Sequence, residues 1–207
     1  MSRLKGNLFW VNVPYLWFNI PKPNIFHEFE EQEMLTKYIL PTDRVLVLGA
    51  NVGTASILLD KLVDRQDLQY SVEPNLLIVP YLKYERDRHK CQFNIIDYVI
   101  TESKDELFMA AGLDHVASRT VTNPSSGNKV RTGHLPTTDF NVLFADCEGC
   151  FPSFLKEYEN ELAHVRLVIF ERDYETKVDY TFVDKILTRN GFTAVRIAYV
   201  TVYLKQE

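Results

Sequence analysis

The sequence predicts an α/β protein built on a doubly wound, mostly parallel sheet that closes with a C-terminal antiparallel hairpin. Short apolar runs alternate with helical stretches from His27 to Arg189, the pattern of strands joined by crossover helices. Those runs end repeatedly in a glycine or a carboxylate, at the edge where an open α/β sheet places its ligand crevice. Phe192 to Ile197 and Val200 to Leu204 are separated only by Ala198 and Tyr199. Two residues cannot hold a crossover helix, so the sheet must end antiparallel.

The chain has 207 residues, enough for one core with appendages. Its apolar share of 46% is ordinary for a soluble globular protein. The formal net charge of −5 argues against a general nucleic-acid surface, which needs a basic face for phosphates, and leaves room only for a local basic groove. No segment approaches the roughly 20 apolar residues of a membrane span. Trp10, Pro14 and Asn19 interrupt the N-terminus before a signal-peptide core develops. A cytoplasmic protein is expected. Cys91, Cys147 and Cys150 are odd in number and follow no disulfide framework, which favours a reducing compartment. The Cys147-x-x-Cys150 spacing has neither a second ligand pair for zinc nor a thioredoxin-like context.

Residues 1–26 combine Phe9, Trp10, Tyr15, Trp17, Phe18 and Phe26 with Pro14, Pro21 and Pro23. Prolines forbid a long helix and the aromatics need burial, so an extended arm packed on the core is expected. Residues 27–207 form the main domain. From His27 to Ile39, Phe29, Met34, Leu35, Tyr38 and Ile39 recur at helical spacing among Glu28, Glu30, Glu31 and Glu33. The acids read as a solvated face, with one carboxylate conceivable beside a cofactor amine. Val45 to Leu48 is a buried strand, Gly49-Ala-Asn-Val-Gly53 a tight turn, and the residues to Asp60 a helix.

A second strand at Leu68 to Val72 delivers Glu73, about 20 residues past the glycine turn. A carboxylate there accepts hydrogen bonds from the vicinal hydroxyls of a ribose. A helix to Arg88 and a third strand within Gln92 to Ile100 follow, and the loop after that strand, Tyr98 to Thr101, is the expected neighbour of an adenine edge. Residues 114–133 are turn-rich and read as a long loop or irregular hairpin. The fourth strand, Asn141 to Ala145, delivers Asp146-Cys-Glu-Gly149. The fifth, Val165 to Phe170, delivers Glu171-Arg-Asp173. Burial and mutual repulsion raise carboxylate pKa values, which suits a general base. His115 and His134 flank the long loop as further candidates, while His27, His89 and His164 read as surface or helix-end residues. Asp146, Glu148, Asp173 and a histidine offer hard ligands that magnesium or manganese would accept, but no spacing singles out a metal site.

The order of these motifs resembles that of class I S-adenosylmethionine-dependent methyltransferases, which have a Rossmann-like fold, and more narrowly that of the FkbM family. Leu48-Gly-Ala-Asn-Val-Gly53 is similar to the family's glycine motif and Val72-Glu-Pro-Asn75 to its ribose motif. Asp146-Cys-Glu-Gly149 is similar to its Asp-x-Glu-Gly signature, and Val168-Ile-Phe-Glu171 to its next strand end. The likeness runs from about Glu28 to the C-terminus and is poorest between the third and fourth strands. It implies S-adenosylmethionine held by Leu48, Gly49, Ala50, Asn51, Gly53, Glu73, Pro74, Tyr98, Val99 and Asp146. It also implies methyl transfer to a hydroxyl of a sugar or glycan, deoxyhexoses such as rhamnose included, within a possible larger glycan-building polypeptide. Asp146 or Glu148 is the first choice for the base or for orienting the acceptor, with Glu171, Asp173 and His134 in reserve. The family carries an acid two places before the first glycine, where this chain has Val47. Either Glu28 or Asp146 then takes the cofactor amine, or affinity is reduced. Two rival readings share the glycine turn. One is an NAD-dependent oxidoreductase, disfavoured by G-x-x-x-G spacing; the other is a non-catalytic module of the same fold.

Overall fold

Val45, Leu46, Val47 and Leu48 form strand β1 (Val45–Leu48), and all four are buried, as a strand covered on both faces must be. The computed structural model describes residues 25–110, 119–122, 127–173, 175 and 177–206. In it β1 is central, pairing in parallel with β2 (Tyr70–Val72) on one side and β9 (Val142–Ala145) on the other. Outside β2 lies β3 (Asn94–Ile96), and outside β9 lies β10 (Leu167–Glu171), both parallel. The last strand, β12 (Val200–Lys205), inserts antiparallel beside β10, and β11 (Phe192–Arg196) forms the edge antiparallel to it. The order is β11-β12-β10-β9-β1-β2-β3, a mostly parallel sheet with an antiparallel C-terminal hairpin.

Successive strand residues point to opposite faces, and two cores result. Val45, Val47, Phe144, Ile169 and Val202 pack on one face with Met34 and Leu35 of α1 (Ile25–Tyr38) and Ile57 and Leu59 of α2 (Thr54–Leu62). Leu46, Leu143, Val168, Phe170 and Tyr203 pack on the other with Phe151 and Leu155 of α4 (Phe151–Tyr158) and Val183 and Leu187 of α5 (Tyr180–Arg189). Leu82 of α3 (Val79–Arg88) joins the first core. Pro152 in the first turn of α4 sets a helical φ where no hydrogen bond is lost. Asp179 caps α5, its carboxylate accepting from the Thr181 N–H at 3.0 Å.

The carboxylate of Asp43 closes the opposite end of the sheet. It accepts from the Leu40 N–H (2.7 Å), Asn141 Nδ2 (3.1 Å) and Arg166 Nε (2.8 Å). Arg166 Nη2 also donates to the Tyr38 carbonyl at 3.0 Å. One buried acid thus ties together the chain entering β1, β9 and β10.

Two expectations change. The segment expected to hold a third strand splits into β3 and a two-residue β4 (Val99–Ile100), which leaves the main sheet to pair in parallel with β8 (Thr132–Gly133). The described part of the expected long loop is strand: β6 (Arg119–Val121) and β7 (Gly127–Lys129) flank β5 (Phe108–Ala110), both antiparallel to it. Elements of two or three residues are too short for alternation to reveal. The arm to residue 24, and His115 with residues 111–118 and 123–126, lie outside the described residues. Helix α1 begins at Ile25, two residues before its expected start.

Candidate active site

Gly49 follows β1 with φ +87°, then Asn51 at +47° and Gly53 at +105°. A Cβ on Gly49 would run into the Asp146 carbonyl oxygen and come 2.9 Å from Cys147 Cα. The turn is therefore glycine because β9 passes against it, and the Asp146 N–H donates to the Leu48 carbonyl at 3.0 Å. The Gly49 and Ala50 N–H groups both donate to the Val72 carbonyl, at 3.1 and 2.8 Å. Those bonds bring the end of β2 alongside the turn.

Glu73 sits at that junction. Its Oε2 accepts from the Asn51 N–H and its Oε1 from the Asn75 N–H, both at 2.8 Å. The group is buried, and desolvation pushes its carboxyl up to about 7 against the pull of those two N–H bonds. Each oxygen keeps a lone pair for a donor entering from the cavity.

Across the turn, four carboxylates converge. Asp146 follows β9, Glu171 ends β10 and Glu31 comes from α1; one ligand oxygen from each lies within 4.8 Å of the others. Asp173, 7% exposed, abuts Glu171. Its Oδ1 accepts from the Tyr199 hydroxyl at 2.9 Å, while its Oδ2 is buried with no hydrogen-bond partner among the described residues. Burial first, then the charges of Glu171, Asp173 and Glu148, hold Asp146 well above the usual carboxylate range. Burial and Glu171 push Asp173 up to about 7. Among the described residues no arginine or lysine pairs with Asp146, Glu171 or Asp173; Arg172 turns away to Thr201 Oγ1 (2.9 Å) and Asp184 (2.6 Å).

The Asp-Cys-Glu-Gly segment is a sharp bend, with Glu148 at φ +56° and Gly149 at +85°. Cys147 and Cys150 are joined by a disulfide across it, Cα atoms 5.4 Å apart. This corrects the reading of unpaired cysteines and removes its argument for a reducing compartment. The bend that carries both carboxylates also brings i and i+3 within bridging distance, and Cys150 is the residue preceding α4. Cys91 alone is free, and it is buried.

One cavity of about 740 Å³ joins these parts. Leu48, Gly49, Asn51, Glu73, Pro74, Val99, Asp146, Glu148 and Glu171 line it. Ala50 is buried beneath the turn, and Gly53 faces Leu82 and Ile57. Tyr98 and His134 are not brought to the cavity. The Tyr98 ring packs on Gly133 and its hydroxyl donates to the His134 carbonyl at 3.3 Å. The His134 side chain is 78% exposed, with Nδ1 3.0 Å from Glu102, so no site surrounds its ring. Val47 is fully buried in the core, and the side chain of Glu28 lies outside the described residues.

Sequence reasoning missed Glu31, Tyr199 and Lys177, which also line the cavity. Glu31 was read with the solvated acids, yet it is 5% exposed. Its signal was present: Glu31, Met34, Leu35 and Tyr38 share one helix face, and the last three are apolar. Tyr199 was read only as a hairpin turn. Because β12 runs antiparallel to β10, its beginning meets the carboxyl edge of the parallel strands.

No protein-family model matches the chain, and no curated protein sequence matches it. Solved structures do match in fold. A precorrin-6y C5,15-methyltransferase from Geobacter metallireducens superposes with a TM-score of 0.59 at 15% identity, covering 93% of this chain and 95% of that one. The magnesium protoporphyrin IX methyltransferase of Synechocystis, in its form with bound SAH, gives 0.53 at 12%, covering 94% and 89%. A ribosomal protein L11 methylase from Lactobacillus delbrueckii gives 0.52 at 10%, covering 85% and 77%. The chain has the Rossmann-like class I methyltransferase fold.

Proposed function

We propose that the chain is an S-adenosylmethionine-dependent O-methyltransferase acting on a hydroxyl of a sugar or glycan, deoxyhexoses such as rhamnose included. The observation that carries this reading is Glu73, clamped by the N–H groups of Asn51 and Asn75 and lining one cavity with Asp146 and Glu148. Glu73 would hold the ribose of an adenosyl cofactor and the glycine turn the rest of it, in the cavity that Asp146 and Glu148 also line, and the cofactor would supply an activated methyl group there. The fold neighbours include a methyltransferase with bound SAH, which supports the same cofactor here.

The chemistry asks little of the protein beyond alignment. A sulfonium methyl is already activated, so the site must hold the acceptor oxygen in line with it and accept a proton. The O–CH₃ bond forms as the S–CH₃ bond breaks. The hydroxyl proton passes to a carboxylate at the strand ends, Asp146 or Glu148, and a neutral thioether leaves. A polyhydroxylated acceptor suits walls rich in carboxylates.

Calorimetry with S-adenosylmethionine and S-adenosylhomocysteine is the first test. Binding of one equivalent is expected; no binding, or binding of NADH in its place, ends this reading. A methyl-transfer screen over free and nucleotide-linked deoxyhexoses then tests the acceptor. Asp146→Asn and Glu148→Gln should lower kcat at least about a hundredfold if either takes the proton. Unchanged turnover in both would remove these residues from the reaction.

A further inference from the structure

We propose that Glu31, Asp146 and Glu171 hold a divalent cation of the magnesium or manganese class at the floor of the cavity. Their ligand oxygens lie within 4.8 Å of one another, and since a magnesium-class cation holds carboxylate oxygens at about 2.0–2.1 Å, an inward shift of these side chains brings all three to one ion. The three ligands come from different layers of the fold: a helix on one face of the sheet and the ends of two adjacent parallel strands.

A second observation points to the same place. Asp173 is more than nine-tenths buried and abuts Glu171, and its Oδ2 has no hydrogen-bond partner among the described residues. A buried carboxylate oxygen without a donor is costly, and more so beside other carboxylates. Glu171 thus stands beside three other carboxylates, Glu31, Asp146 and Asp173. A dication would relieve all of these repulsions, and no arginine or lysine among the described residues does so for Asp146, Glu171 or Asp173. Magnesium and manganese keep open or water-filled positions when few carboxylates bind them. The cavity provides the space for them. If the acceptor is the polyol proposed above, which this consequence requires, two neighbouring hydroxyls would fill those positions.

Manganese binding to the full chain, followed by loss of the free-ion electron paramagnetic resonance signal, tests the site without any activity. One equivalent should bind, and it should remain bound after saturation with S-adenosylhomocysteine. Glu31→Gln and Glu171→Gln should each weaken it at least about tenfold, while the surface variant Glu161→Gln should leave it unchanged. The parent protein should also melt at higher temperature with manganese, since only the folded state assembles the site. No manganese site in the parent protein overturns the inference, whatever the variants do. Equal binding by all the variants also overturns it. So does one-for-one displacement by S-adenosylhomocysteine, which would assign the carboxylates to the cofactor's ammonium group. Manganese binding without any cofactor binding supports the cation site and ends the methyl-transfer reading, so the two stand or fall separately.

Discussion

Gly49 and Asp146 meet main chain to main chain: the carbonyl of Asp146 occupies the space that a side chain on Gly49 would need. The contact fixes the distance between the glycine turn and the carboxylate beyond β9. In Gly49→Ala, a left-handed φ and a backbone clash act together, and neither can be relieved by a rotamer. A loss of about 3 kcal/mol is expected, with adenosyl-cofactor binding abolished. Urea unfolding and calorimetry measure the two effects. A stable, binding-competent Gly49→Ala protein would show that the two strands are not held this closely.

Glu73 makes a pH signature. Its carboxyl stands at about 7 in the folded chain, against an ordinary value near 4.3. The folded state therefore keeps a proton that the unfolded state releases. Its contribution to stability is full below about pH 4.5 and is lost as pH rises to about 7, by about 3 kcal/mol in total. Ribose hydroxyls donate to the ionised form, so affinity for S-adenosylhomocysteine should rise up to about tenfold per pH unit below 7 and level off above it. Comparison with Glu73→Gln isolates both trends, because other buried acids titrate nearby. Parallel pH profiles for the two proteins would refute the assignment.

Asp43 is a structural acid at the far end of the sheet. Asp43→Ala leaves the Arg166 guanidinium and two further donors without their acceptor. A loss of about 3 kcal/mol is expected, equal to about 6 to 12 °C in Tm for a chain of this size. Affinity for S-adenosylhomocysteine should stay within about twofold. A thermal melt and one titration decide it.

The disulfide predicts a thiol count. Of three cysteines, only Cys91 should react after denaturation without reductant. The bridge closes a small loop, so its contribution is about 2 kcal/mol. The Cys147→Ser, Cys150→Ser double variant should melt about 4 to 8 °C lower. Three reactive thiols in the parent protein would show the bridge to be absent.

The sheet was legible because its strands are buried on both faces and read as unbroken apolar runs: Val45 to Leu48 and Leu167 to Phe170 need no alternation to be recognised. The hairpin followed from the shortness of Ala198-Tyr199, and the placing of Glu73 beside the glycine turn from its distance past it. What could not be read depended on tertiary approach. Glu31 lies on the apolar face of α1, but only the placement of that helix over β10 and β12 turns a surface acid into a buried one. His134 drew attention as a histidine near a functional-looking loop, and β8 carries it out to solvent beside Glu102. The Cys147 and Cys150 pairing needed the positive φ values at Glu148 and Gly149, which no residue type other than the glycine announces.

The antiparallel insertion of β12 has a consequence for how the molecule is made. Glu31 and Tyr199 stand near opposite ends of the described chain, and both face the same cavity. Arg196, just before the hairpin turn, reaches back to Glu30 on α1 at 3.0 Å. Synthesis runs from the N-terminus, so the glycine turn and Glu73 exist long before the strand that completes the acidic floor. A chain halted before residue 199 would hold the glycine turn and Glu73, yet it would lack the tyrosine whose hydroxyl donates to Asp173. The floor of the cavity thus closes only when a strand distant in sequence from α1 has joined the sheet beside β10.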